Sequence, residues 1–236
     1  ADASDYKDYN KVTYKEAVDV MTAVGVFNGT GDGSTFSPDG TLTREQAAKI
    51  ITYMLLGQEA ADKLTATIAP YSDVAASRWS AGAIAYCTNE GILAGTGNGK
   101  FNPTGELTGL EFAKMLLVAL GYDATIEQLT GGAWAINTSK LALGDAELDN
   151  GMSISLSKTL TREEAAQMAF NAMQATLVEY EDNGGKIELP GGIVIVTDPS
   201  KATPVTSKVK ADATNISDDT VVMNGGDVYT VEFAEK

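Results

Sequence analysis

Arginine is scarce in this chain of 236 residues, occurring at positions 44, 78 and 162, and two of the three share one local setting. Arg44 follows Thr43 and Arg162 follows Thr161, each inside a Thr-Arg-Glu run that leads into alanine-rich apolar sequence. A threonine with Glu or Gln three residues on is a helix-capping pattern: the hydroxyl accepts from the N3 amide while the N3 side chain returns to the cap's own N–H. Thr43 with Gln46, Thr108 with Glu111 and Thr161 with Glu164 all keep that spacing. The first turn of a helix carries partial positive charge, so a cation there costs roughly 0.3–1 kcal/mol and stability alone favours Asp or Glu. One chemistry makes use of the awkward charge: free amides and a planar guanidinium converging at a helix start address a carboxylate or phosphate. The plainer account has Arg44 and Arg162 paired with neighbouring acids on an acidic surface, and position alone leaves both open. If the anion account holds, replacing either arginine by alanine leaves thermal stability unchanged or slightly raised.

Trp79 and Trp134, the two tryptophans, each stand ahead of an apolar helical stretch, Trp79 shortly after Asp73-Val74. Such a ring either wedges a helix start into its packing or offers a flat face to a sugar. Other chemistries are excluded by composition. Without histidine and with Cys87 as the single cysteine, the chain holds no internal disulfide, no Cys/His zinc site and neither a Ser-His-Asp nor a Cys-His nucleophile. Cys87, in the apolar stretch from Ile84, reads as a packing residue. The loops Gly29 to Gly33 and Gly95 to Gly99 follow a helix and lead to Phe-x-Pro, unlike a nucleotide loop, and lack the calcium-loop pattern. No Asp/Glu pair is singled out as a glycosidase would need. The expectation is a protein that is not an enzyme, with no cofactor and no metal.

A formal net charge of −15 argues against nucleic acid and against adsorption to an anionic membrane. No run of about 18 apolar residues is present, so no membrane-spanning helix is expected. The opening Ala1-Asp2-Ala3 is what a secreted protein shows after removal of its signal peptide, and an extracellular location is the expectation.

The elements that position these residues come from internal repetition. With one single-residue gap, Gly25, Gly29, Phe36, Pro38 and Thr43 match Gly91, Gly95, Phe101, Pro103 and Thr108. A third, weaker copy keeps Thr161-Arg162-Glu163-Glu164 but replaces the glycine loop by the stretch from Gly144 to Gly151. Each copy reads as helix, loop, helix. The first helices are expected over 14–24, 80–90 and about 133–143, each stopped by a glycine (Gly25, Gly91, Gly144) suited to the left-handed position after a helix. The second begin after the capping threonines and carry core stripes such as Ala47, Ile50, Ile51, Met54 and Phe112, Met115, Leu116, Ala119. A two-helix unit cannot bury such a stripe alone, so the copies must pack on one another. The expected organisation is 5–62, 68–123 and a degenerate 124–180, followed by a β-strand-rich segment, 184–236, that is an extension or the start of a further domain. Its strands are read at 193–196 and 228–233.

The assembled pattern resembles the S-layer homology (SLH) family of bacterial surface proteins: Ser72-Asp73-Val74 and Trp79, then Glu-Gly-Ile-Leu-x-Gly, then Gly-Asp/Asn-Gly-x-Phe-x-Pro, then Leu-Thr-Arg-Glu. The resemblance implies a mainly α fold, three helix-loop-helix repeats packed as a pseudo-threefold bundle. It implies grooves between repeats that bind an anionic secondary cell-wall polysaccharide attached to peptidoglycan, often bearing pyruvate ketals. Carried over by position, Arg44 and Arg162 contact a carboxylate, and Asp73, Trp79 and Trp134 shape neighbouring sugar pockets. Two positions depart from the pattern: Gly109 stands where copy two should have arginine, and copy one has tyrosines (Tyr6, Tyr9, Tyr14) in place of a leading tryptophan. The rival expectation is a protein–protein module that meets other surface-layer subunits or a host, with degenerate glycan grooves.

Overall fold

The computed structural model describes residues 2–180, 185–197, 201–204, 209–213 and 228–233. Among these the fold is mainly helical: α1 (Lys15–Ala23), α2 (Arg44–Leu56), α3 (Gln58–Asp62), α4 (Ala81–Asn89), α5 (Gly109–Ala119), α6 (Trp134–Leu143) and α7 (Arg162–Gln174). Six short strands follow: β1 (Val178–Glu179), β2 (Gly185–Leu189), β3 (Ile193–Thr197), β4 (Thr203–Pro204), β5 (Val209–Ala213) and β6 (Val228–Phe233). The expected first and second helices are all present, and the strand runs at 193–196 and 228–233 are strands.

Thr43, Thr108 and Thr161 cap α2, α5 and α7, and in each the reciprocal arms of the capping box are formed. Behind the caps the expected stripes are buried, Ala47, Ile51 and Met54 on α2 and Phe112, Met115 and Leu116 on α5, and α7 buries Ala165, Ala169 and Met173 in the same way. Gly25 (φ 80°) and Gly91 (φ 72°) take the left-handed conformation after α1 and α4, as their position predicts. Gly144 does not. Its φ is −86°, and a Cβ there would lie 2.7 Å from the Lys140 carbonyl oxygen, so crowding by the helix's own backbone selects glycine. Helix α3 has no counterpart in the sequence reading; Gly57 (φ 78°) turns the chain into it.

The packing is circular. Helix α2 lies against α4, α5 against α6, and α7 against α1, so each capped helix covers the first helix of the next pair and the last pair closes on the first. Helix α5 also contacts both α2 and α7. Around the three helix starts, single antiparallel bridges join Thr41 to Thr161, Thr43 to Glu106 and Thr108 to Thr159. A common core runs through the pairs, from Met21, Phe27 and Phe36 to Ile84, Phe101 and Leu107 and on to Leu160.

Strand β1 leaves this body beside the end of α5: the Val178 amide donates to the Leu120 carbonyl at 2.9 Å. The approach is close enough that a Cβ at Gly121 would sit 2.1 Å from the Val178 oxygen. Strands β2 and β3 form an antiparallel hairpin with Leu189 opposite Ile193, β1 pairs antiparallel with β4, and β5 pairs parallel with β6.

Candidate functional site

The helix-start amides are not free. In α2 the amides of Arg44 and Glu45 donate to the carbonyls of Gly105 (2.8 Å) and Pro103 (3.0 Å). In α7 those of Arg162 and Glu163 donate to Gly40 (2.7 Å) and Pro38 (3.1 Å), and in α5 those of Gly109 and Leu110 donate to Lys158 (3.1 Å) and Leu156 (2.8 Å). With the N3 amide taken by the threonine, each helix start is satisfied by the loop before another capped helix. The expected convergence of unpaired amides on an anion is therefore corrected: close interlocking of loops and helices consumes them.

The arginines follow the same logic. Arg44 is 9% exposed and Arg162 7% exposed. Arg44 donates from Nε to the Phe101 carbonyl (2.9 Å) and from Nη2 to the Ala94 carbonyl (2.7 Å), its guanidinium 4.6 Å from the Phe101 ring centroid. Arg162 repeats this on the first loop, donating to the carbonyls of Phe36 (2.8 Å) and Asn28 (2.8 Å) and lying 5.0 Å from the Phe36 ring. Burial lowers both guanidinium pKa values below their ordinary range, yet arginine stays cationic. The expectation that alanine at 44 or 162 is neutral or stabilising is overturned, because each side chain ties a loop of another segment into the body rather than standing in solvent.

Sequence reasoning missed a second set of ties. Glu45 accepts a bidentate pair from Arg78 (2.8 and 2.9 Å) and the Ser80 hydroxyl (2.6 Å), fixing the start of α4. Glu163 accepts from the amides of Thr13 and Tyr14 ahead of α1 (2.9 and 3.1 Å). Asp73 serves the loop itself, accepting from the amides of Phe101 and Asn102 at 2.8 Å, as Asp8 does for Phe36 and Ser37. Burial pushes both Asp carboxyls up, but these amides outweigh it and leave both below their ordinary value. Cys87 is buried with its thiol toward the Ala48 carbonyl, and burial pushes its pKa up to about 12, so it is an unreactive packing group.

Between the segments lie two concave grooves of matching construction. One, of about 270 Å³, is lined by Arg162, Lys49, Gln46, Asn28, Tyr53 and Trp79. The other, of about 290 Å³, is lined by Arg44, Lys114, Glu111, Ala94, Met115 and Trp134. Each joins an arginine from one helix pair, a lysine from the next and a tryptophan from the third. Trp79 is 58% exposed, which sets it apart from a core wedge, and Trp134 is half-buried with the Lys114 ammonium 5.9 Å from its ring. The structure thus brings Arg162 together with Trp79 and Arg44 together with Trp134, whereas Asp73 lines neither groove. The lysines were missed although a signal was present: Lys49 and Lys114 both stand six residues after a capping threonine. At the third junction Gly109 lies against the loop before α7, where a Cβ would come within 3.0 Å of the Leu156 Cα. A side chain there would press on the loop backbone, and the junction lacks the arginine its counterparts carry.

Two stretches of the chain, residues 5–48 and 70–113, match the S-layer homology domain. They contain Arg44, Asp73, Trp79 and Gly109. Among its relatives, a cell surface protein of Thermoanaerobacter kivui is 28% identical over 179 residues, covering 76% of this chain and 22% of that one. A middle cell wall protein of Brevibacillus brevis is 28% identical over 174 residues, covering 73% of this chain and 16% of that one. A cellulosome-anchoring protein of Acetivibrio thermocellus is 33% identical over 98 residues, covering 42% of this chain and 22% of that one. The chain therefore spans less than a quarter of the length of each of these relatives.

Proposed function

We propose that this chain anchors a bacterial surface protein non-covalently, and without catalysis, by holding an anionic secondary cell-wall polysaccharide attached to peptidoglycan. The observation that carries the reading is the twofold recurrence of arginine, lysine and tryptophan in one groove, Arg162 with Lys49 and Trp79, and Arg44 with Lys114 and Trp134. A flat indole beside hydrogen-bond donors is suited to a sugar ring with a charged substituent. Similarity to a cell wall protein and to a cellulosome-anchoring protein supports the anchoring role. In this reading residues 124–180 act as a third, degenerate repeat that lends Arg162 to one groove and Trp134 to the other. Asp73 supports the site by fixing a loop rather than by touching sugar. A net charge of −15 repels a polyanion at long range, so capture depends on local contacts and on two grooves engaging one polymer.

The test is sedimentation of the purified chain with native wall material and with wall chemically stripped of its polysaccharide. Retention on native wall that is lost on stripped wall is the expected result. Equal retention on both would end the polysaccharide reading and direct attention to protein partners in the wall.

A further inference from the structure

The two grooves match in their arginine, lysine and tryptophan but differ at one residue that also caps a helix. At the N3 position of α2 stands Gln46, whose Oε1 accepts from the Thr43 amide at 3.0 Å, leaving its NH2 as a donor. At the same position of α5 stands Glu111, whose Oε1 accepts from the Thr108 amide at 3.2 Å while Oε2 lies 3.8 Å from Arg44 Nη1. Arg162, the counterpart of Arg44, has no carboxylate within 4.0 Å among the described residues. The charged residues lining the first groove are thus Lys49 and Arg162, and those lining the second are Arg44, Lys114 and Glu111. A carboxylate a few ångströms from a bound anion opposes it by about 1 kcal/mol even at the dielectric of water, a factor of about five in affinity.

Resting on the reading of these grooves as glycan sites, we propose that they sort the ligand's charge, with Gln46 and Glu111 as the selecting residues. The groove at Arg162 takes an acidic sugar through Arg162, Lys49 and the Gln46 NH2. The groove at Arg44 takes a neutral sugar, whose hydroxyls donate to Glu111 while its ring lies on Trp134. One polymer alternating acidic and neutral units then fits the pair better than a uniformly charged one.

The two tryptophans supply one reporter per groove. The intact chain is labelled with ¹⁵N, and its two indole signals are assigned with Trp79→Phe and Trp134→Phe. It is then titrated with a methyl hexosaminide carrying a 4,6-pyruvate ketal, and with the same glycoside lacking the ketal. The Trp79 signal should respond to the ketal at a concentration about five-fold or more below that needed for Trp134, a preference absent with the neutral glycoside. Because the capping box accepts either side chain, Glu111→Gln keeps the fold. It should lower the Trp134 midpoint for the ketal about five-fold. The exchange Q46E with E111Q should reverse the order of response. Equal midpoints in the parent chain, or an order unchanged by the exchange, would overturn the sorting and leave glycan binding intact. Silence of both indoles toward both glycosides would remove the glycan reading itself, and the sorting with it.

Discussion

Arg162 shows how one side chain serves the body and the groove together. Two of its nitrogens hold the carbonyls of Phe36 and Asn28, and the same residue lines the groove beside Trp79. Loss of charge-assisted hydrogen bonds to buried carbonyls costs roughly 1.5–3 kcal/mol. Arg162→Ala should therefore lower the unfolding free energy by about 2–3 kcal/mol in denaturant titrations, and Arg44→Ala by a similar amount. Unchanged stability in both would mean that the loops are held without them. Trp79 behaves differently. At 58% exposure its replacement by alanine should change stability by less than about 0.5 kcal/mol while weakening retention on native wall, so it tests binding cleanly where the arginines do not. The position of the arginines after a helix cap was legible in the sequence, but their direction was not. The partners of Arg162, Asn28 and Phe36, lie well over 100 residues away along the chain, and no local pattern records that approach.

The capped helices are the elements read most fully in advance, because a capping box and a core stripe are encoded within a dozen residues. Thr161→Ala should cost about 1 kcal/mol, seen as a lower melting temperature. The loops ahead of these helices depend on Asp8 and Asp73, whose carboxyls sit below their ordinary value of 3.8. A carboxyl lowered on folding contributes stability that is present above the unfolded value and lost as pH falls through the folded one. The melting temperature should be nearly flat from about pH 7 to pH 5 and drop below about pH 4, and Asp73→Asn should shrink that drop. A transition centred near neutrality would point to other groups. What the element scale hid was geometry that depends on neighbours: the backbone crowding at Gly144, helix α3, and the carbonyls of Pro38, Pro103 and Leu156 that occupy the helix-start amides.

Over the whole molecule, the three helix pairs could be read from repetition, but their order of packing could not, since a pattern of buried positions does not say which neighbour buries them. Each capped helix turns out to cover the first helix of the following pair, and α7 closes the set on α1. The junction at Gly109 is the exception to the arginine pattern. Gly109→Arg should fail to create a third groove and should instead destabilise the fold by about 1–3 kcal/mol, as forced overpacking against Leu156 does, which calorimetry can measure. Circular closure also imposes an order in time. A chain emerging from its N-terminus, whether from a ribosome or through a pore, has the sequence of its first loop long before residue 162 arrives to clasp it. The groove at Arg44 requires the chain as far as Trp134, and the groove at Arg162 requires α7 as well. A chain clipped ahead of Trp134 thus lacks a lining residue of one groove, and one clipped ahead of α7 lacks the arginine of the other.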